Sequence, residues 1–229
     1  MSAAHRPMST SLRVLSALLG YPGARLREHL FEMHRMIDDE CALSPTRRTE
    51  LHALIDTLRH TDSLQVEADY VELFDRGRAT SLHLFEHVHG DSRDRGPAMI
   101  DLGQTYEKAG LILAEGELPD YLPAVLEFVS TQPPREARAF LGEMAHILNA
   151  IFAALLKRQS AYASVLGALL ELAGEKAKPV EAIADEPLDQ SWAEPAAFDG
   201  CSTKGQMRPG QPQPVHIIRK HTAEQGALR

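Results

Sequence analysis

A chain of 229 residues with 44% hydrophobic content is long enough to close one substantial core and to leave a tail or a small second unit. A formal charge of −8, with no basic stripe, excludes general nucleic-acid binding, which needs a cationic face. Only two cysteines, Cys41 and Cys201, occur far apart, which excludes a disulfide framework and a thiolate metal site and leaves Cys41 as a buried, inert residue.

Apolar spacing is helical almost throughout the first 174 positions, and no alternating strand pattern precedes Gly174. Leu12, Leu15, Leu18 and Leu19 form one stripe, stopped by Gly20 and Pro22. This stretch is too short and too interrupted, by Arg13 and Ser16, for a membrane span, and it lacks the features of a signal peptide. Leu26, Leu30, Met33 and Ile37 form the next stripe. Ser44 followed by Pro45 reads as an N-cap and a first-turn proline, opening a helix through Leu51, Leu54, Ile55 and Leu58. Asp62 starts another helix, with Val66, Tyr70, Leu73 and Phe74 on one side. Pro97 re-enters a helix that carries Ala98, Leu102 and Tyr106 and closes at Gly110. After a loop over 115–123, Val125 to Val129 is helical. Pro133 and Pro134 precede one long helix from Phe140 through Met144 to Leu155, on whose inner face His146 reads as a core residue. Ser160 caps the last helix, which carries Val165, Leu166, Leu169 and Leu170. The expectation is an all-α fold: a single bundle of about eight or nine helices over residues 1–174.

Residues 175–229 differ in composition. Six of the fourteen prolines fall there, apolar periodicity stops, and acids crowd 181–199. Such a segment buries too little surface to offset its ordering entropy, so a largely disordered tail is expected. Leu188, Trp192, Phe198 and the pair Ile217–Ile218 are its candidate docking residues.

The densest chemistry lies in residues 70–102, YVELFDRGRATSLHLFEHVHGDSRDRGPAMIDL. Arg76, Arg78, Arg93 and Arg95 alternate with Asp75, Glu86, Asp91 and Asp94, and His83, His87 and His89 lie among them. That many polar groups around Leu82, Leu84 and Phe85 are costly to fold unless they pair or face a partner. His87, His89 and Asp91 resemble the start of a metallohydrolase motif, which would supply three zinc ligands, but those folds present it at a strand end and none precedes it here. The arginines fit an anion clamp, as in a pterin- or nucleotide-binding carrier, or else pair with the equal number of acids. No P-loop and no nucleophile elbow is present. Tyr70, Leu73 and Phe74, placed just before the ionic stretch, suit an apolar groove with an ionic rim that holds an amphipathic peptide. Asp120, between Pro119 and Tyr121, either offers that groove a fixed carboxylate or caps the helix before Val125.

The run 70–102, followed by Tyr106, Gly110, GELPDYLP (116–123) and LEFV (126–129), resembles the NarJ-type chaperones of respiratory nitrate reductase, within the wider group of redox-enzyme maturation chaperones. The tail pieces WAEPAAF (192–198) and QPVHII (213–218) are similar as well. The resemblance implies a cytoplasmic, non-catalytic, all-helical protein with no resident cofactor or metal and no insertion into the membrane. Its partner would be the apo catalytic subunit of nitrate reductase, held by its N-terminal segment and a second surface while molybdenum cofactor and iron–sulfur centres are inserted and membrane docking is delayed. Molybdenum cofactor delivery proteins would be further partners. In related chaperones an aromatic-x-x-Leu-Phe helix and an E-x-P-D-H loop line the leader-peptide site. These fall on Tyr70, Leu73 and Phe74 and on Glu117, Pro119 and Asp120, with Tyr121 in place of the histidine. Glu86, His87, Asp91, Arg93 and Arg95, from the EHVHGDSRDRG signature, complete the implied partner-binding set.

Overall fold

The computed structural model describes residues 5–177 except 41 and 91. From residue 178 on, the expected tail, with Cys201 and its apolar docking residues, lies outside the described residues, as do Cys41 and Asp91. The described chain is all-α, with ten α-helices: α1 (His5–Leu19), α2 (Ala24–Glu40), α3 (Pro45–His60), α4 (Ser63–Tyr70), α5 (Leu84–Val88), α6 (Arg95–Lys108), α7 (Leu122–Thr131), α8 (Pro134–Glu143), α9 (Ala145–Lys157) and α10 (Ala163–Ala173).

The starts and stops follow local chemistry. The Ser44 hydroxyl accepts the Arg47 N–H at the head of α3, and the Asp62 carboxylate accepts the Leu64 and Gln65 N–H groups at the head of α4. Gly110 and Gly174 take the left-handed conformation, with φ of 79° and 83°, that lets the chain turn out of α6 and α10. Leu111 N–H then reaches back to the Tyr106 carbonyl, and Glu175 N–H to that of Leu170, each at 2.9 Å.

Helix α10 is central: nine of its eleven residues are buried, the exceptions being Ser164 and Glu171, so it is apolar over most of its circumference, as a largely enclosed helix must be. Helix α1 packs on α7 through Leu12, Leu15, Leu18 and Leu19 against Leu122, Val125, Leu126 and Val129. The buried Ser16 hydroxyl donates to the Pro123 carbonyl at 2.8 Å, which satisfies both groups at this seam.

Two departures from expectation change the number of helices. The long helix through Met144 is two helices, α8 and α9, which meet at a 64° bend. The bend exposes His146 in the first turn of α9, so this histidine is not a core residue. The ionic stretch also contains a short helix, α5. These two changes raise the helix count from the expected eight or nine to ten among the described residues. No single helix among them is long and apolar enough to cross a membrane.

Candidate partner-binding cleft

The cleft begins where α4 ends. The chain continues from Tyr70 into one π-helical turn, Val71–Asp75, closed by the Arg76 N–H on the Val71 carbonyl at 3.1 Å. Such a turn inserts one residue into the helical repeat and re-aims the side chains that follow. Phe74 turns inward to contact Tyr70 and Tyr162, at centroid distances of 4.8 and 5.1 Å, and Leu73 is left half-buried. A 3-10 turn, Arg78–Thr80, comes next, and the buried Thr80 hydroxyl donates to the Leu73 carbonyl. Gly77 makes this closure possible, because a Cβ there would strike that carbonyl and the Thr80 hydroxyl. The sequence FDRGRAT is thus the wiring of a tight reversal.

The second wall is the loop before α7. Its Asp120 is fully buried, and the carboxylate accepts the Phe85 N–H at 3.1 Å while the Asp120 carbonyl accepts the Leu84 N–H at 3.0 Å. Asp120 therefore caps α5, across the chain, where the sequence allowed a cap for α7 or a carboxylate offered to the groove. The Leu122 N–H donates to the Leu82 carbonyl at 2.8 Å, and an isolated antiparallel bridge pairs His83 with Tyr121. From below, the buried Tyr106 hydroxyl donates to the Pro119 carbonyl at 2.8 Å. Residues 82–85 and 118–122 are thereby held as one rigid rim.

Between these walls lies an open cleft of about 430 Å³, lined by Tyr21, Tyr70, Phe74, Asp75, Leu82, His83, Gly116, Glu117, Leu118 and Tyr121. Its floor is aromatic. Tyr70 donates its hydroxyl proton to the Leu19 carbonyl at 2.8 Å, so the 3.2 Å contact with Tyr121 uses the Tyr121 proton. Burial raises the pKa of both phenols, which keeps the floor uncharged. Tyr21 stands edge-on to Tyr70 at 5.6 Å and remains half exposed, its hydroxyl on the Glu67 carboxylate at 2.8 Å. Asp75 and Glu117 give the rim negative charge, and among the described residues no Lys or Arg lines it. His83 is the cationic candidate in the wall. Its Nδ1 lies 3.4 Å from Asp120 Oδ1, and this partner raises its pKa against the opposing effect of burial.

Of the residues singled out from sequence, Tyr70, Phe74, Glu117 and Tyr121 meet in this cleft, with Asp120 and Pro119 beneath it as supports. Leu73 lies on the adjoining turn and packs on the core. Glu86 and Arg95 pair with each other at 3.7 Å, Arg76 pairs with Glu72 at 3.0 Å, and Arg93 is exposed. Two of the four arginines are thus engaged with acids of their own chain. His87 Nε2 donates to the Ser81 carbonyl, 2.9 Å away, while the His89 and Phe85 rings meet edge to face at 5.3 Å. Asp91, the third member of the suggested metal triad, lies outside the described residues. Tyr21, Asp75, Leu82, His83 and Leu118 line the cleft without having been read as such. The Gly20–Pro22 helix stop beside an aromatic residue is the one sequence signal that marks Tyr21.

Comparison with known proteins gives a consistent result. The family model for the nitrate reductase delta subunit matches residues 40–167. The chain belongs to the nitrate reductase delta subunit family. It is 44% identical over 203 residues to the nitrate reductase molybdenum cofactor assembly chaperone NarJ of Escherichia coli (strain K12), covering 86% of this chain and 84% of that one. It is 36% identical over 155 residues to the nitrate reductase-like protein NarX of Mycobacterium tuberculosis, of which the match covers 23%. Among solved structures, a candidate redox enzyme maturation protein from Archaeoglobus fulgidus shares the fold, with a TM-score of 0.51 at 20% identity over 73% of this chain and 94% of that one.

Proposed function

We propose that this member of the delta subunit family is a maturation chaperone that seats the N-terminal segment of the apo catalytic subunit of nitrate reductase in the cleft between the Tyr70–Asp75 turn and the 116–121 loop. Supporting this reading is one observation: an open, uncharged aromatic floor with an acidic rim, built from two distant stretches and held rigid from beneath. Such a surface suits an amphipathic peptide that lays apolar side chains on Tyr21, Tyr70 and Leu118 and brings a basic residue to Asp75 or Glu117. Burial of apolar area contributes about 25 cal/mol per Å². Ordering of the peptide offsets much of this, and the resulting moderate affinity suits a protein that must hold and then release.

In this reading the chaperone acts in the cytoplasm and carries out no chemistry of its own. It keeps the client from docking at the membrane until molybdenum cofactor and iron–sulfur centres are in place, with a second contact on the client and with cofactor delivery proteins as further partners. Glu86, His87, Arg93 and Arg95, with Asp91 of the same sequence signature, make up the rest of the partner-binding set in this reading. The test is calorimetry with a synthetic peptide of the client's N-terminal segment. Tyr21→Ala and Leu118→Ala alter exposed side chains, so folding is not at stake, and each is expected to weaken binding by roughly tenfold. Wild-type affinity in both variants would move the peptide site elsewhere.

A further inference from the structure

We propose that His34, Asp38 and His52 form a binding site for a borderline divalent cation, Zn2+ foremost, which clamps α2 to α3. The site is independent of the cleft and departs from the expectation of a protein without metal. His34 and Asp38 are one helical turn apart on α2 and so share a face, and His52 meets them from α3. One ligand atom from each lies within 4.8 Å of the others. His52 Nε2 is 2.8 Å from Asp38 Oδ1, and His34 Nδ1 is 3.6 Å from Asp38 Oδ2. Four-coordinate zinc at about 2.0–2.1 Å from its ligands sets donor atoms roughly 3.3 Å apart, so the trio closes on an ion with shifts on the order of 1 Å.

The donor chemistry selects the ion. Two imidazoles and one carboxylate suit zinc, nickel or copper, whereas calcium and magnesium need mostly oxygen. The two imidazole rings lie 3.8 Å apart, tilted by 33°. Among the described residues His52 Nδ1 has no hydrogen-bond partner, so Asp38 is the hydrogen-bonding contact that orients the ring. Asp38 stands in the last turn of α2, where the helix end carries partial negative charge. The neighbouring cation, Arg48, is directed to main-chain oxygens, those of Leu43 at 2.9 Å and Asp38 at 3.3 Å.

The site has a mechanical logic. Arg27 already fastens the start of α2 to the end of α3 through the Leu58 and Thr61 carbonyls, at 2.6 and 3.1 Å. An ion at His34, Asp38 and His52 fastens the other end of the same pair.

The test uses the full chain, free of any histidine tag, stripped with chelator and titrated with ZnCl2 by calorimetry, with CoCl2 absorption as a second readout. One tight equivalent of zinc and a higher Tm are expected in the wild type. His34→Ala and His52→Gln are each expected to weaken binding by roughly a hundredfold and to abolish the cobalt spectrum. His60→Ala, an exposed histidine elsewhere on α3, should leave binding unchanged. No zinc uptake by the wild type, or uptake that persists in the His34→Ala/His52→Gln double variant with circular dichroism unaltered, would overturn the site.

Discussion

Asp120 and His83 carry the tightest residue-level argument. A buried carboxylate is tolerable only when its charge is met, and here it is met by the Phe85 N–H and by His83. Asp120→Ala removes the cap of α5 and strands those donors, at an expected loss of about 2–3 kcal/mol in urea unfolding. A loss under half that size would mean the rim does not depend on this carboxylate. The same pair sets a pH dependence. Folding raises the His83 pKa above its ordinary 6.5, so its charged form stabilises the fold. That contribution is complete below the ordinary value and is lost as pH climbs through the raised one. Unfolding midpoints measured across this window should converge between wild type and His83→Gln as pH rises, and parallel curves would contradict the assignment. At this scale the sequence marked Asp120 as special through its proline neighbours. The donor it serves, an N–H group 35 positions upstream, is a tertiary fact that no local pattern contains.

Among the elements, the π-helical turn Val71–Asp75 decides the shape of the cleft. Periodicity placed Val66, Tyr70, Leu73 and Phe74 on a single helix face, which is right for the helix-forming content and wrong for the last turn. The cause lies downstream: Thr80 takes the Leu73 carbonyl, and Gly77 makes room for it. Gly77→Ala should therefore destabilise the protein by about 1–3 kcal/mol, although the glycine has an ordinary negative φ, because the obstacle is contact with backbone. Thermal unfolding of Gly77→Ala beside Gly103→Ala, where a Cβ meets nothing, separates this clash from a general glycine effect. Phe74 is nearly enclosed by Tyr70 and Tyr162, so Phe74→Ala should cost about 3–5 kcal/mol. The volume-sparing Phe74→Leu is the variant that tests peptide affinity with the fold retained, and unchanged affinity there would remove Phe74 from the contact surface. The bend between α8 and α9 escaped the apolar pattern because Leu141, Ile147 and Leu148 are buried on both sides of it. An apolar stripe reports burial but not the direction in which each half of it runs.

For the whole molecule, the all-α class was legible because helix caps, glycine stops and 3.6-residue spacing agreed from Leu12 to Leu170. The cleft was legible only in halves. Its two walls lie some fifty positions apart, and the bonds that build the second, from Leu122 to Leu82 and from Leu84 to Asp120, run between main-chain groups that almost any residue would supply. A binding protein of this design needs its floor neutral and its rim charged, which burial of Tyr70 and Tyr121 and exposure of Glu117 provide. The most direct measurement is co-purification from cells that make the client catalytic subunit either whole or without its N-terminal segment. The account predicts that this protein retains the whole subunit and loses the truncated one; equal recovery of both would contradict it.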